Sequence, residues 1–171
     1  CLVGSEMCIR DRSSTLAVVE PISSGLGGGG FFLLHDAKTG KDVMLDARET
    51  APESATPDQF LDKSGELDRD RSVNGAWSAG IPGLPAALVQ LAREHGRLPL
   101  TESLAPAIRV ATDGFPVYAR MARGYASRRE VMERYPGTRE VYLRNGRPIA
   151  EGDIFKHCLL YTSPSPRDKR Q

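Results

Sequence analysis

The chain has 171 residues, 40% of them hydrophobic and 26% charged, and its 23 Lys and Arg against 22 Asp and Glu leave a formal charge of +1. That length suits a single domain on size alone, the charge balance gives no basic footprint for nucleic acid, and no apolar run is long enough to span a membrane. All three cysteines, Cys1, Cys8 and Cys158, lie near the ends, so the stretch between them offers no disulfide, thiolate nucleophile or thiolate metal site.

The two ends differ in character from what they enclose. Glu6 to Asp11 can be encoded GAG ATG TGT ATA AGA GAC, and Cys158 to Ser163 can be encoded TGT CTC TTA TAC ACA TCT. The second string is the reverse complement of AGATGTGTATAAGAGACA, so one DNA element read on opposite strands can encode both. It looks like the transposon-end adapter of sequencing libraries. Residues 1–12 and 158–171 are therefore expected to be translated adapter and are set aside from fold reasoning. Arg10 and Arg12 offset Glu6 and Asp11, while Arg167, Lys169 and Arg170 exceed Asp168 by two, so residues 13–157 carry −1 where the whole chain carries +1.

Thr15 to Glu20 (T-L-A-V-V-E) reads either as the last turns of a helix or as a strand running into Pro21; the local pattern leaves both open. Four glycines follow, Gly27 to Gly30, where the backbone is free to take φ > 0 or to approach another segment closely. Phe31-Phe32-Leu33-Leu34 and Val43-Met44-Leu45 predict two strands joined around Lys38-Thr39-Gly40-Lys41 as a hairpin. Their continuous apolar runs predict cover on both faces. Arg48 and Glu49 stand just past the second strand. Ala51 to Ser72 is polar and proline-marked and reads as surface connection, with Asp68-Arg69-Asp70-Arg71 a solvated run.

A helix is predicted from Pro82-Gly83-Leu84-Pro85, with Leu84, Leu88, Leu91 and Ala92 on its buried face and Gly96 ending it. A second has Thr101 as N-cap, Pro106 in its first turns, Leu104, Ile108 and Ala111 on one side, and Gly114 as terminator. A third covers Ala119 to Arg134 and buries Met121, Tyr125 and Met132. Val141-Tyr142-Leu143 and Pro148-Ile149 close a small hairpin around Asn145-Gly146.

Several residues bear on chemistry. Gly25, Gly27 and Gly30 fit G-x-G-x-x-G, with Asp46 at a strand end beyond them, which makes a dinucleotide-binding (Rossmann-like) segment the sharpest competing reading. That fingerprint needs a helix after the glycines, and Phe31 to Lys41 is bulky, β-rich and interrupted by Thr39-Gly40. Arg48 reads either as half of a surface ion pair or as a planar fork suited to a carboxylate. His35, His95 and His157 have no metal-ligand spacing, and Ser23 and Ser24 lack a nucleophile-elbow setting.

The joint pattern is more specific than any of these pieces. V-V-E-P-I-S-S-G-L-G-G-G-G-F-F, L-D-A-R-E-T-A-P, then Asn74 to Gly83, His95 to Pro99 and Ala111 to Val117 resemble, in order, the large subunit of the gamma-glutamyltransferases (gamma-glutamyltranspeptidases), which are N-terminal-nucleophile hydrolases. The resemblance extends over about Ser14 to His157. It implies an α+β fold, with residues 13–157 a partial large-subunit domain of a four-layer αββα sandwich completed by the small subunit of the same precursor. It favours a buried helix end for Thr15 to Glu20.

The activity implied is cleavage of γ-glutamyl amides of glutathione-like donors, with transfer to an amino acid, a peptide or water. No metal or organic cofactor is implied, and a periplasmic or extracellular location is. Arg48 takes the place of the family's arginine for the substrate α-carboxylate, and Glu49 is expected to orient Arg48 or neighbouring backbone rather than to act as a base. The family's nucleophile is a threonine opening a Thr-Thr-His motif, which these 171 residues lack. No catalytic residue is therefore assigned here. The chain alone is expected to be an inert fragment with apolar strand faces uncovered.

Overall fold

A computed structural model describes residues 5–157. Helix and strand are mixed, in two compact units: Leu26–His95, and the described residues on either side of that stretch.

The first unit is built on a hairpin. β1 (Gly30–Asp36) pairs antiparallel with β2 (Lys41–Ala47), setting Phe31 opposite Asp46, Leu33 opposite Met44 and His35 opposite Asp42. Asp36 makes the turn, its carboxylate accepting from the Lys38 N–H at 2.9 Å and the Thr39 hydroxyl at 2.8 Å. Gly40 completes it at φ 67°. Phe31, Leu33 and Met44 share one face and are 60%, 73% and 66% exposed, whereas Phe32, Leu34 and Leu45 on the other are half-buried. Among the described residues the expected cover is present on one face and absent from the other. Among the same residues the sheet has two strands, and apolar runs that read alike in sequence divide by pleat into a packed face and a bare one.

α3 (Leu84–Glu94) packs on β2 through Leu84, Ala87, Leu88 and Leu91, which are buried at helical spacing. Pro85 fits its first turn, where a missing N–H costs nothing. The chain leaves the helix at His95, whose N–H bonds the Leu91 carbonyl at 3.1 Å, one residue before the predicted glycine. Ala51 to Ser72 holds more structure than a connection: a 3₁₀ turn at Pro57–Phe60, a bridge between Leu61 and Leu67, and the start of α2 (Arg69–Asn74). Asp68, read as part of a solvated run, caps α2 by accepting the Arg71 N–H at 2.9 Å. An aspartate there satisfies an otherwise orphaned donor.

In the second unit α1 (Ser5–Val19) packs against α4 (Leu100–Asp113), burying Val18 with Ala107 and Ala111; the helical alternative for Thr15 to Glu20 is the one adopted. α4 begins at Leu100, so Thr101 lies inside the first turn and Pro99, extended at ψ 146°, precedes the helix in the N-cap position. Pro106 lies in the helix interior, which forgoes the backbone bond to the Glu102 carbonyl. Gly114 ends the helix as predicted, at φ 88° with its N–H on the Val110 carbonyl at 3.0 Å.

β3 (Phe115–Pro116) leads into α5 (Ala119–Ser127) and α6 (Arg129–Arg134). The single predicted helix is therefore two, broken at Arg128 (φ −108°, ψ 11°), whose N–H turns back to the Tyr125 carbonyl at 3.1 Å. Met121, Tyr125 and Met132 are nonetheless buried as expected, with Val117, Ile149 and Phe155. Pro136 opens α7 (Pro136–Tyr142), so Val141 and Tyr142, predicted as strand, end a helix instead. β4 (Leu143–Arg144) and β5 (Arg147–Pro148) form the small hairpin, with Asn145 at φ 51° and Gly146 at φ 73°. Both central residues sit in the left-handed region that an Asn-Gly turn favours. β6 (Ile154–Phe155) pairs with β3.

His157 closes this core. Its ring meets Phe155 and Tyr142 edge-on, Nε2 is 3.4 Å from the Tyr142 hydroxyl, and Nδ1 is buried without a hydrogen-bond partner. Burial pushes its pKa below the ordinary 6.5. The unfolded chain therefore takes up the imidazole proton first as pH falls, and stability drops from 6.5 downward until the folded-state pKa is passed. Above that window His157 is neutral in both states and contributes no slope. His157→Gln is expected to flatten this limb of the thermal midpoint measured from about pH 7 to 5; an unchanged limb would refute the assignment.

Candidate carboxylate-binding site

β2 ends at Ala47, and the Asp46 carboxylate accepts the Arg48 N–H at 2.9 Å, a local turn that competes with further strand. Thr50 and Ile81 then exchange backbone hydrogen bonds, 3.2 Å from the Thr50 N–H and 2.8 Å from the Ile81 N–H. Arg48 and Glu49 are thus strung between two fixed points, the end of the ladder and the bridge.

Three glycines close on that segment. A Cβ on Gly29 would collide with the Ala47 carbonyl oxygen and lie 2.8 Å from Arg48 Cα; one on Gly83 would collide with the same oxygen and lie 2.7 Å from the Arg48 oxygen. A Cβ on Gly80 would lie 2.9 Å from Glu49 Cβ and 3.3 Å from the Thr50 oxygen. The Leu84 N–H bonds the Gly28 carbonyl at 3.1 Å, tying the start of α3 to the glycine run. Of that run, Gly29 makes the close approach, while Gly27 and Gly30 would carry a Cβ into open space; none of the three has φ > 0. The sequence marks the run, but the use of Gly80 and Gly83 shows only in the packing.

The Arg48 side chain is 57% exposed and its Nη2 lies 3.2 Å from Glu49 Oε2. That oxygen is buried and makes no directed hydrogen bond, so the contact is an ion pair by distance alone. The structure brings Arg48 and Glu49 together and leaves more than half of the Arg48 side chain exposed to solvent. A guanidinium fork on a fixed backbone can donate two parallel bonds to a carboxylate.

The other sequence candidates separate from this site. Gly30 opens β1, so a strand follows the glycines where the dinucleotide fingerprint needs a helix, and the Asp46 carboxylate is engaged by Arg48 N–H. The reading that joined Gly25, Gly27, Gly30 and Asp46 is therefore corrected. His35 pairs with Asp42 at 2.7 Å on the exposed hairpin, His95 ends α3 and His157 belongs to the second core. The Ser23 and Ser24 N–H groups both bond the Glu20 carbonyl in the turn after α1. Among the described residues no group of three His, Cys, Asp or Glu could hold a metal ion, and no helix is long and apolar enough to cross a membrane.

Residues 13–161 match the family model described as Gamma-glutamyltranspeptidase. The chain is 36% identical over 141 residues to the glutathione hydrolase proenzyme of Bacillus subtilis strain 168, covering 82% of this chain and 24% of the relative. It is 36% identical over 151 residues to the glutathione hydrolase proenzyme of Escherichia coli strain K12, covering 86% and 26%. The solved structure of Helicobacter pylori gamma-glutamyltranspeptidase superposes with a TM-score of 0.87 at 32% identity, over 92% of this chain and 45% of that one. The chain spans about a quarter of the length of these curated relatives.

Proposed function

The chain belongs to the gamma-glutamyltranspeptidase family, and from that premise we propose that the full-length protein cleaves the γ-glutamyl amide of glutathione-like donors and passes the γ-glutamyl group to an amino acid, a peptide or water. Within these 171 residues the contribution is recognition. Arg48 binds the α-carboxylate of the donor, and Glu49 orients the guanidinium. The observation that carries this is the exposed side chain of Arg48 on a backbone held by the ladder end, the Thr50–Ile81 bridge and the glycines.

The nucleophile belongs to the rest of the precursor: a threonine that becomes the first residue of the small subunit, its hydroxyl attacking the γ-carbonyl while its freed amine takes the proton and returns it to the departing nitrogen as the γ-glutamyl C–N bond breaks. The same precursor completes the four-layer αββα sandwich, and the bare Phe31, Leu33 and Met44 face supports a layer laid over the hairpin. Residues 13–157 are then a partial large-subunit domain between translated adapter ends. Sequencing the source DNA outward from the codons of Phe31 to Pro148 tests that division, since genuine flanks would persist through both junctions.

Release of the chromophore from a γ-glutamyl anilide tests the activity. The self-cleaved full-length protein is expected to release it, faster when an amino acid or dipeptide acceptor is added, and this chain alone is expected to release none. A cleaved, folded full-length protein inert toward γ-glutamyl donors would overturn the proposal.

A further inference from the structure

The Glu49 side chain is 28% exposed, although it stands beside an Arg48 side chain that is 57% exposed. Its Oε2 is buried without a directed hydrogen bond, so what turns the carboxylate inward is the space beside it. That space is left by Gly80, where a Cβ would press on Glu49 Cβ at 2.9 Å, with Glu49 Cγ at 3.8 Å and the Thr50 oxygen at 3.3 Å. Gly80 is also the residue next to Ile81, whose backbone pairs with Thr50, so the strip carrying it cannot drift from Glu49 without breaking that bridge. Nothing in its φ requires a glycine; the approach of Glu49 Cβ does, with the Thr50 oxygen a second, looser contact.

We propose that Gly80 is a positioning residue for Arg48: it admits the Glu49 side chain against the Thr50–Ile81 bridge, and Glu49 placed there fixes the guanidinium in the orientation that receives the donor's α-carboxylate. This rests on the function proposed above. A side chain at position 80 displaces Glu49, and the guanidinium, whose ion-pair partner moves with it, spreads over several orientations. The loss falls on binding of the donor, where Arg48 acts, and not on the acceptor or on the attacking group.

The test uses the full-length, self-cleaved protein with Gly80→Ala, Glu49→Ala, Glu49→Gln, Arg48→Ala and two double variants. Gly80→Ala is expected to raise the KM for the γ-glutamyl donor about tenfold, with kcat and the acceptor KM within about twofold. In the Glu49→Ala background the Cβ at position 49 remains, so the steric clash persists, yet no carboxylate is left to misplace; adding Gly80→Ala is then expected to leave donor KM unchanged. A merely structural glycine would raise KM equally in both backgrounds, and that result overturns the proposal. If Gly80→Ala does not fold, Glu49→Gln and its combination with Arg48→Ala decide. The proposal requires the charge change to raise donor KM when Arg48 is present and to add nothing when it is absent, and independent, multiplying effects overturn it. An unaltered donor KM in a folded Arg48→Ala protein would instead remove the assignment of Arg48 to the donor's α-carboxylate, on which this proposal rests, while activity toward the anilide would still stand.

Discussion

Replacing Arg48 by alanine in the full-length protein is expected to lower kcat/KM for γ-glutamyl donors by about 10- to 100-fold, carried mainly by KM, because a charge-assisted hydrogen-bonded pair contributes about 1.5–3 kcal/mol. The effect should be separable from stability. The Arg48 side chain is 57% exposed, but its ion-pair contact, Glu49 Oε2, is buried, so the thermal midpoint of Arg48→Ala is measured beside its kinetics to separate a folding cost from a binding one. Arg48→Lys keeps the charge but loses the planar fork, so its donor KM should fall between those of wild type and Arg48→Ala. Acceptor KM should not move in either variant. A folded Arg48→Ala protein with wild-type donor KM would remove Arg48 from the binding site.

What could be read from sequence follows from how local each determinant is. The hairpin and its turn were legible because Lys38-Thr39-Gly40 breaks two apolar runs, and Asp36 adds bonds that lie within four residues of itself. The Asn145-Gly146 turn and the Gly114 helix end were legible for the same reason, since both depend on a left-handed residue that glycine or asparagine announces. The α5–α6 break at Arg128 was not, because Met121, Tyr125 and Met132 keep nearly helical spacing across it and all face one core. A periodicity satisfied by burial does not report a single non-helical residue. Pro136 inverted the reading of Val141 and Tyr142: it opens a helix that carries them, whereas their β-branched and aromatic side chains suit a strand.

The site divides along the same line. Arg48 and Glu49 are adjacent in sequence and past a strand end, so their pairing needed no tertiary knowledge. The Thr50–Ile81 bridge and the approach of Gly83 to Ala47 join segments more than thirty residues apart, and nothing local encodes such contacts. Family resemblance marked Asn74 to Gly83 without saying what those residues hold.

That hidden contact leads to the second large effect. Gly83→Ala is expected to destabilise the fold by about 3 kcal/mol, the upper end of the usual overpacking range, because every atom it meets is backbone: the Ala47 carbonyl oxygen, its carbon at 2.6 Å and the Arg48 oxygen at 2.7 Å. The residue itself is helical, at φ −90° and ψ −28°, so alanine's conformational preference adds no strain and the cost is steric. Neither side can yield. Ala47 is held by its pairing with Gly30, and Gly83 by the start of α3 and the Leu84–Gly28 hydrogen bond.

Gly29→Ala meets the Ala47 oxygen and Arg48 Cα and C in the same way and should cost a similar amount, a fall of roughly 6 to 12 °C in the thermal midpoint of the affected domain. Gly27→Ala and Gly30→Ala are the controls within the same glycine run. Their added Cβ meets nothing within 4 Å and neither has φ > 0, so each should be neutral or stabilising by about 0.4–1 kcal/mol through the unfolded chain. Thermal unfolding of the four single variants separates the two accounts. If all four fall together, the run matters for its collective flexibility; a fall confined to Gly29 and Gly83 shows that the chain is pinned at Ala47, the fixed point from which Arg48 projects.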